Sequence, residues 1–475
     1  MSLPPGYSVE TIEVPDVEFE VGGLSTRPNG DLLATLRQGF VWEMDADSGE
    51  WTEKSRSLHQ TLGIWTEEGS EDAWVVQKHQ LTRLVDDTAG PMIDLYENVN
   101  DDWGYTGDEH GFAYGPVRDN EGNFYLNKSP GNQGSYSLAR DFIYDAPYAG
   151  WHIKVTPEGE FVPFASGLRS PLGIGINDDD EVFYSDQQGT WVPVCHISHV
   201  VEGEFYGHPT ALGGHPDFPD VNPDTYEFEE PVEKADFAPM RKPPVVWVPY
   251  SFQRATAGVT FDEGGSFGPF EGQAFFGCMG NRNLGRMCME EVDGSYQGAV
   301  FPFTDAGEFE WGVVREEFTP DGSSLYVGQT ERGWGEDNAW GVQRVDYDGE
   351  TTPFSIHSIE IAPSGFRVIF TKPATTSELE DPGNYSLANW SYNYHQTYGS
   401  DRVDERSIDS ADVTATVVDE GNAVDLELPS LETGPDGIDT INSRIYEIAL
   451  DGVTSQEGEE MTHAVGWYTV NTIPE

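Results

Sequence analysis

One short unit recurs along the first 350 residues and leaves few folds open: a polar turn, an alternating apolar strand, and a second strand ending near Arg or Lys. Its clearest copies open Pro28-Asn-Gly-Asp-Leu-Leu, Asn120-Glu-Gly-Asn-Phe-Tyr, Asp178-Asp-Asp-Glu-Val-Phe-Tyr and Pro320-Asp-Gly-Ser-Ser-Leu-Tyr. Looser copies are Glu68-Gly-Ser-Glu-Asp-Ala-Trp and Pro269-Phe-Glu-Gly-Gln-Ala-Phe-Phe, which brings the count to six. The second strands read Phe40-Val-Trp-Glu-Met, Leu81-Thr-Arg-Leu, Trp151-His-Ile-Lys-Val, Ile197-Ser-His-Val, Leu284-Gly-Arg-Met and Val342-Gln-Arg-Val. Alternation with period two, punctuated by glycine turns and without a sustained helical stripe, excludes a βαβ fold. So many strands avoid exposed edges if they close radially, which predicts an all-β chain built on a six-bladed β-propeller.

Two long excursions, Ser129 to Gly150 and His208 to Pro244, interrupt the pattern, and long loops on a rigid scaffold often carry binding. Near Pro353 the register changes. Gly365-Phe-Arg-Val-Ile-Phe-Thr, Val413-Thr-Ala-Thr-Val-Val and Tyr446-Glu-Ile-Ala-Leu alternate as strands of a C-terminal, Ig-like β-sandwich. The expected division is 1–352 for the propeller and 353–475 for the sandwich.

Charge narrows the partners. With 84 Asp+Glu against 25 Lys+Arg the net charge is −59, yet 37% of residues are hydrophobic and 12% aromatic, so the chain is no disordered acidic tail. Such self-repulsion eases when salt screens it, which points to a halophilic source. No basic stripe is present, so nucleic acid and anionic membranes are set aside as partners. Cys195, Cys278 and Cys288 show no metal or haem spacing and are expected as free thiols. The opening MSLPPGYSVE has neither a basic patch nor an apolar core, and no run of about 18 apolar residues follows. These features predict no membrane insertion and a cytoplasmic location for the chain as given, or export if a leader was removed.

In a propeller the loop entering each innermost strand faces the channel, so equivalent positions converge. Those positions hold His59 and Gln60, Glu109 and His110, Arg169, Gln253 and Arg254, and Arg315. Asp186-Gln187-Gln188-Gly189 and Gln329-Thr-Glu-Arg332-Gly-Trp334-Gly form a second tier just after inner strands. Repeat-equivalent arginines in a chain this poor in base predict a positive pocket inside an acidic shell. Arginine's planar fork suits carboxylates, and histidine suits proton abstraction. The structural alternative is a polar plug, for example Arg315 paired with Glu109. Gly264-Gly-Ser266-Phe-Gly268 matches a nucleophile elbow but lacks the following helix. Asp178-Asp179-Asp180 reads as solvated surface.

At these residues the chain resembles the glucose/sorbosone dehydrogenase superfamily, and within it the bacterial branch of membrane-bound dehydrogenase-like propellers. The resemblance is carried by Glu109-His-Gly-Phe-Ala-Tyr-Gly-Pro, Ala165-Ser-Gly-Leu-Arg-Ser-Pro-Leu-Gly-Ile-Gly, Tyr184-Ser-Asp-Gln-Gln-Gly-Thr-Trp-Val-Pro, Phe205-Tyr-Gly-His-Pro and Gly328-Gln-Thr-Glu-Arg-Gly-Trp-Gly. Phe366-Arg-Val-Ile-Phe-Thr-Lys-Pro and Tyr394-His-Gln-Thr-Tyr-Gly-Ser add to it. Characterised members use pyrroloquinoline quinone (PQQ) with calcium. The resemblance implies His110 as the catalytic base, Arg169 as its catalytic partner, and Gln60 and Arg315 around the cofactor; Glu109, Arg254 and Arg332 are expected there from their repeat and second-tier positions. The altered calcium turn maps to Asp186 and Gln188. The family's Arg-Asn-Pro-Gln segment reads Arg169-Ser170-Pro171-Leu172, so two cofactor contacts differ.

The expected activity is oxidation of a sugar or polyol, with hydride passing to a quinone and electrons to a separate acceptor protein. Two alternatives stay open: a calcium-assisted hydrolase or lactonase, and a non-catalytic carbohydrate-binding propeller.

Overall fold

The computed structural model describes residues 3–86, 90–104, 110–131, 148–215, 217, 232–331 and 339–475. The recurring unit folds as a four-stranded antiparallel meander, and six such sheets stand in a ring. Their innermost strands are Val21–Thr26, Ile64–Thr66, Ala113–Arg118, Gly173–Ile176, Thr256–Phe261 and Val313–Phe318. Each touches the next, and the sixth touches the first, so the ring closes around a central channel in the manner of a propeller. The sheets are called blades I to VI in that order.

The turn seen in the sequence joins each innermost strand to the second. In blades I, III and VI its last residue is Gly30, Gly122 or Gly322, with φ of 94°, 91° and 69°, a left-handed conformation that glycine adopts freely. Blade IV uses Asp180 at φ 62° there, one of the few side chains that tolerate the region. The hydrogen bonds repeat as well: Gly30 N–H donates to Arg27 O, Gly122 N–H to Asp119 O and Gly322 N–H to Thr319 O. The repeat read from sequence is therefore the second and third strand of each blade. The fourth strand of blade VI is Tyr7–Ile12, which pairs with Trp340–Tyr347 and fastens the N-terminus into the ring. Around the channel the strands approach so closely that a Cβ on Gly63 would lie 1.6 Å from Gly115 O.

Apolar side chains fill the spaces between blades, for example Phe183 of blade IV against Val259, Phe261 and Phe276 of blade V. The C-terminal region adds two layers. Ile356–Ala362, Gly365–Phe370, Ala423–Glu427 and Thr414–Val418 form one four-stranded sheet. The other strands, Val465–Val470, Arg444–Leu450, Tyr385–Tyr392 and Arg402–Ile408, extend blade V into an eight-stranded sheet, through Ala299 opposite Tyr468 and Val300 opposite Trp467. Phe366, Val368, Val424 and Leu426 of the first layer share one core with Tyr446, Ile448, Tyr468 and Val470 of the second. At the junction Arg286 is buried between the Phe270 and Phe301 rings, 4.2 and 4.3 Å from their centroids, and donates to the carbonyls of Ile356 and His357. The three cysteines form no disulfide. Among the described residues no helix is long and apolar enough to cross a membrane.

Candidate active site

The innermost strand of a blade runs antiparallel to the second, so the chain enters the first and leaves the second at the same end of the channel. Six entry points and six exit points meet at that mouth. Between them lies a cavity of about 270 Å³. Blade I supplies Glu20 and Arg37, blade III His110, Phe112, Tyr114 and Ser129, and blade IV Arg169, Ser170, Leu172 and Gln187. Val314 and Arg315 of blade VI form the floor, and Tyr398 of the C-terminal region reaches the rim.

Arg315 was expected in the loop entering its strand; it lies instead inside Val313–Phe318, from which it projects across the channel. Its guanidinium donates to Leu172 O of blade IV at 3.1 Å, to Leu62 O of blade II at 3.1 Å and to Val314 O at 2.5 Å, and lies 5.6 Å from the Tyr114 ring centroid. Burial pulls its pKa below the ordinary arginine value. Burial likewise pushes the Tyr114 hydroxyl up to about 12, against the lowering pull of Arg315, Arg37 and Arg169. Arg315 also lines a second cavity, of about 330 Å³, deeper in the channel, walled by inner-strand backbone with Glu316 and Glu317. It thus separates the two chambers.

Arg169 is held from behind. Its backbone N–H and that of Ser170 donate to the two carboxylate oxygens of Asp186, at 2.7 and 2.5 Å. Burial raises the Asp186 pKa to about 6 despite those bonds. One guanidinium nitrogen donates to Gln188 O at 3.0 Å, and the Nε lies over Gly189, where a Cβ would be 2.1 Å away. That Nε is buried without a hydrogen-bond partner, so the group is positioned but not saturated. His110 stands exposed at the rim, its ring 5.9 Å from that of Phe112. The Arg37 guanidinium lies 5.0 Å and the Lys78 ammonium 5.6 Å from the same Phe112 ring. Three guanidinium groups in one cavity of so acidic a chain make a site suited to an anionic, planar ligand.

His110, Arg169 and Arg315 therefore share one cavity. Gln60 lies outside it, on left-handed backbone with φ 49°. Arg254 is exposed and turned to Asn281 and the Gly280 carbonyl at the base of its own loop. Asp186 is a buried clamp for the Arg169 loop, and Gln188 lines a neighbouring groove while its side-chain amide donates to Pro193 O. Among the described residues no three His, Cys, Asp or Glu side chains cluster as metal ligands. Glu109 and Arg332 lie outside the described residues. Sequence reasoning missed Glu20, Arg37, Tyr114 and Tyr398. Glu20 and Arg37 had a signal, since one precedes the innermost strand of blade I and the other follows its second strand. Tyr398 lies outside the repeat, and its signal was the family-like stretch Tyr394-His-Gln-Thr-Tyr-Gly-Ser that contains it.

No protein-family model matches this sequence, nor does any curated protein. Solved structures do. A Thermus thermophilus protein described as an oxidoreductase (glucose dehydrogenase) is similar with a TM-score of 0.51 and 19% identity, over 72% of this chain and 100% of that one. A glucose dehydrogenase follows at 0.50 and 15%, over 72% and 99%. The PQQ-bound aldose sugar dehydrogenase of Streptomyces coelicolor stands at 0.48 and 16%, over 72% and 99%. At these identities the likeness is one of fold.

Proposed function

We propose that this chain belongs to the glucose/sorbosone dehydrogenase superfamily and oxidises a sugar or polyol. One observation carries the reading: His110, Arg169 and Arg315, far apart in sequence, line one cavity at the propeller mouth. PQQ is the cofactor this site fits, because its carboxylates match a cavity lined by three guanidinium groups. When bound, the quinone supplies the two-electron acceptor for the sugar carbon. Arg169 and Arg37 would hold its anionic edge, and His110 would take the hydroxyl proton of the substrate. Arg315 closes the floor, and Phe112 and Tyr114 exclude water from the reacting face. In this reading electrons leave to a separate protein. Calcium accompanies the quinone in characterised members, but Asp186 is completely buried behind Arg169 and belongs to no cluster of three His, Cys, Asp or Glu side chains among the described residues, so Asp186 does not fit a calcium site. The same reading treats 1–352 as the catalytic propeller and 353–475 as an Ig-like β-sandwich bracing it.

The test is dye-linked oxidation of a sugar panel in concentrated salt after reconstitution with PQQ and calcium. Replacing His110 by Ala should lower kcat on the order of a hundredfold or more with binding retained. Replacing Arg169 by Ala should weaken quinone binding instead, read by the absorbance of the bound cofactor. A wild-type protein that neither binds the quinone nor reduces the dye with any sugar sinks the proposal.

A further inference from the structure

We infer that the mouth cavity is the inner end of a longer cleft, and that the substrate is a neutral glycan of two or more sugar units whose outer unit rests on Tyr398 and Tyr250. This rests on the sugar-oxidoreductase reading for what enters the inner cavity. Tyr398 lines both that cavity and a neighbouring groove of about 480 Å³, so the two spaces meet at one ring. Tyr250 lines the same groove. The two tyrosines are 45% and 49% exposed, among the few large apolar side chains so placed in the described residues. An aromatic ring exposed in a groove offers a flat apolar face with a polar tip, which suits the mixed C–H and hydroxyl surface of a sugar ring. Asn393, Ser251 and Asp401 line the groove and supply hydrogen-bonding groups for hydroxyls.

The platform is built into the fold. Gly399 N–H donates to Gly189 O at 2.9 Å, Ser400 N–H to Pro193 O at 3.0 Å and Trp191 N–H to His395 O at 3.0 Å, which ties the C-terminal loop to the blade IV turn. The Arg169 guanidinium lies 5.3 Å from the Tyr398 ring centroid, so the platform abuts the residue that walls the inner cavity. A net charge of −59 disfavours anionic polymers.

The experiment is calorimetric titration of the full chain in concentrated KCl with glucose, maltotriose, cellotriose, xylotriose and mannotriose, with dye reduction measured alongside. At least one trisaccharide should bind tenfold or more tightly than glucose. Tyr250→Ala should remove that gain while Tyr250→Trp keeps it, and Asp401→Asn should reduce it. Equal affinity for glucose and every trisaccharide, or a preference that survives in Tyr250→Ala, overturns the cleft. Glucose oxidation without any trisaccharide preference refutes the cleft and leaves the oxidoreductase reading standing. Tyr250-dependent trisaccharide binding without dye reduction supports the cleft and removes the oxidoreductase reading.

Discussion

Glu316 shows how the channel sets the properties of single residues. It is buried with its carboxylate against Gly258 and Gly277, where a Cβ would lie 2.0 and 2.1 Å from its oxygens. Burial outweighs what the Arg315 charge and the Gly277 N–H return, and its pKa rises from 4.5 to about 8. Glu317, bonded to the Thr26 backbone and hydroxyl, rises to about 7 for the same reason. The folded protein thus keeps protons that the unfolded chain has released, so this contribution is complete below pH 4.5 and is lost as pH climbs to about 8. Glu316→Gln keeps the shape and cannot ionise. Its melting temperature should gain on the wild type steadily across that window, measured by calorimetry at constant salt; a gap that does not change with pH would contradict a neutral Glu316. His152 and His196 work in the opposite sense, since burial lowers both to about 3. Their contribution is lost as pH falls from 6.5 towards 3, so acid should destabilise through them. That polar residues stood near the mouth in five of the six blades was legible from the repeat. The direction of each side chain was not: Arg315 lies within its strand and points across the channel, whereas Arg254 turns outward to Asn281.

Two elements close the architecture from its ends, and each exposes an edge if lost. The Tyr7–Ile12 strand completes blade VI, with the Tyr7 hydroxyl donating to Phe267 O at 2.5 Å and its ring packed on Phe267, Phe303 and Tyr347. Tyr7→Ala should cost about 3 kcal/mol or more by the usual scale for buried aromatics, read from salt-matched denaturant unfolding. A loss well under 1 kcal/mol would mean that the ring closes without this strand. At the other end Val465–Val470 pairs with the outer strand of blade V, and Phe252 stacks on Trp467 at 5.2 Å. A chain ending at residue 352 would bare that edge together with Phe301 and Val300. Such a fragment should melt well below the full chain or aggregate, and size-exclusion chromatography with calorimetry checks it. The strands were readable in the sequence on both sides of Pro353. Their union into one sheet was not, because pairing between Ser295–Pro302 and Val465–Val470 leaves no periodic trace in either segment.

For the whole molecule, 84 acidic against 25 basic residues make the folded state self-repelling in dilute buffer. The melting temperature is expected to rise markedly from low to molar KCl, followed by circular dichroism; an unchanged value would count against salt adaptation. The pairs that do form favour the cations: Arg83 is shared by Asp72 and Glu97, Arg406 by Asp404 and Glu432, and Arg344 by Glu10 and Asp346. The sequence by itself determined what is local and repeated. A glycine or aspartate in a left-handed turn, an alternating strand and a polar residue near most innermost-strand entries recur because each is set by neighbours in the chain. That was enough for the all-β class, the count of six blades and three of the residues that meet at the mouth. Tertiary structure alone decided what depends on contact across distance. It chose which polar side chains point inward, clamped Arg169 on Asp186, floored the cavity with Arg315 and brought Tyr398 to its rim. Those outcomes follow from how rigid blades pack against one another, and packing is specified by shape and burial in three dimensions rather than by any interval along the chain.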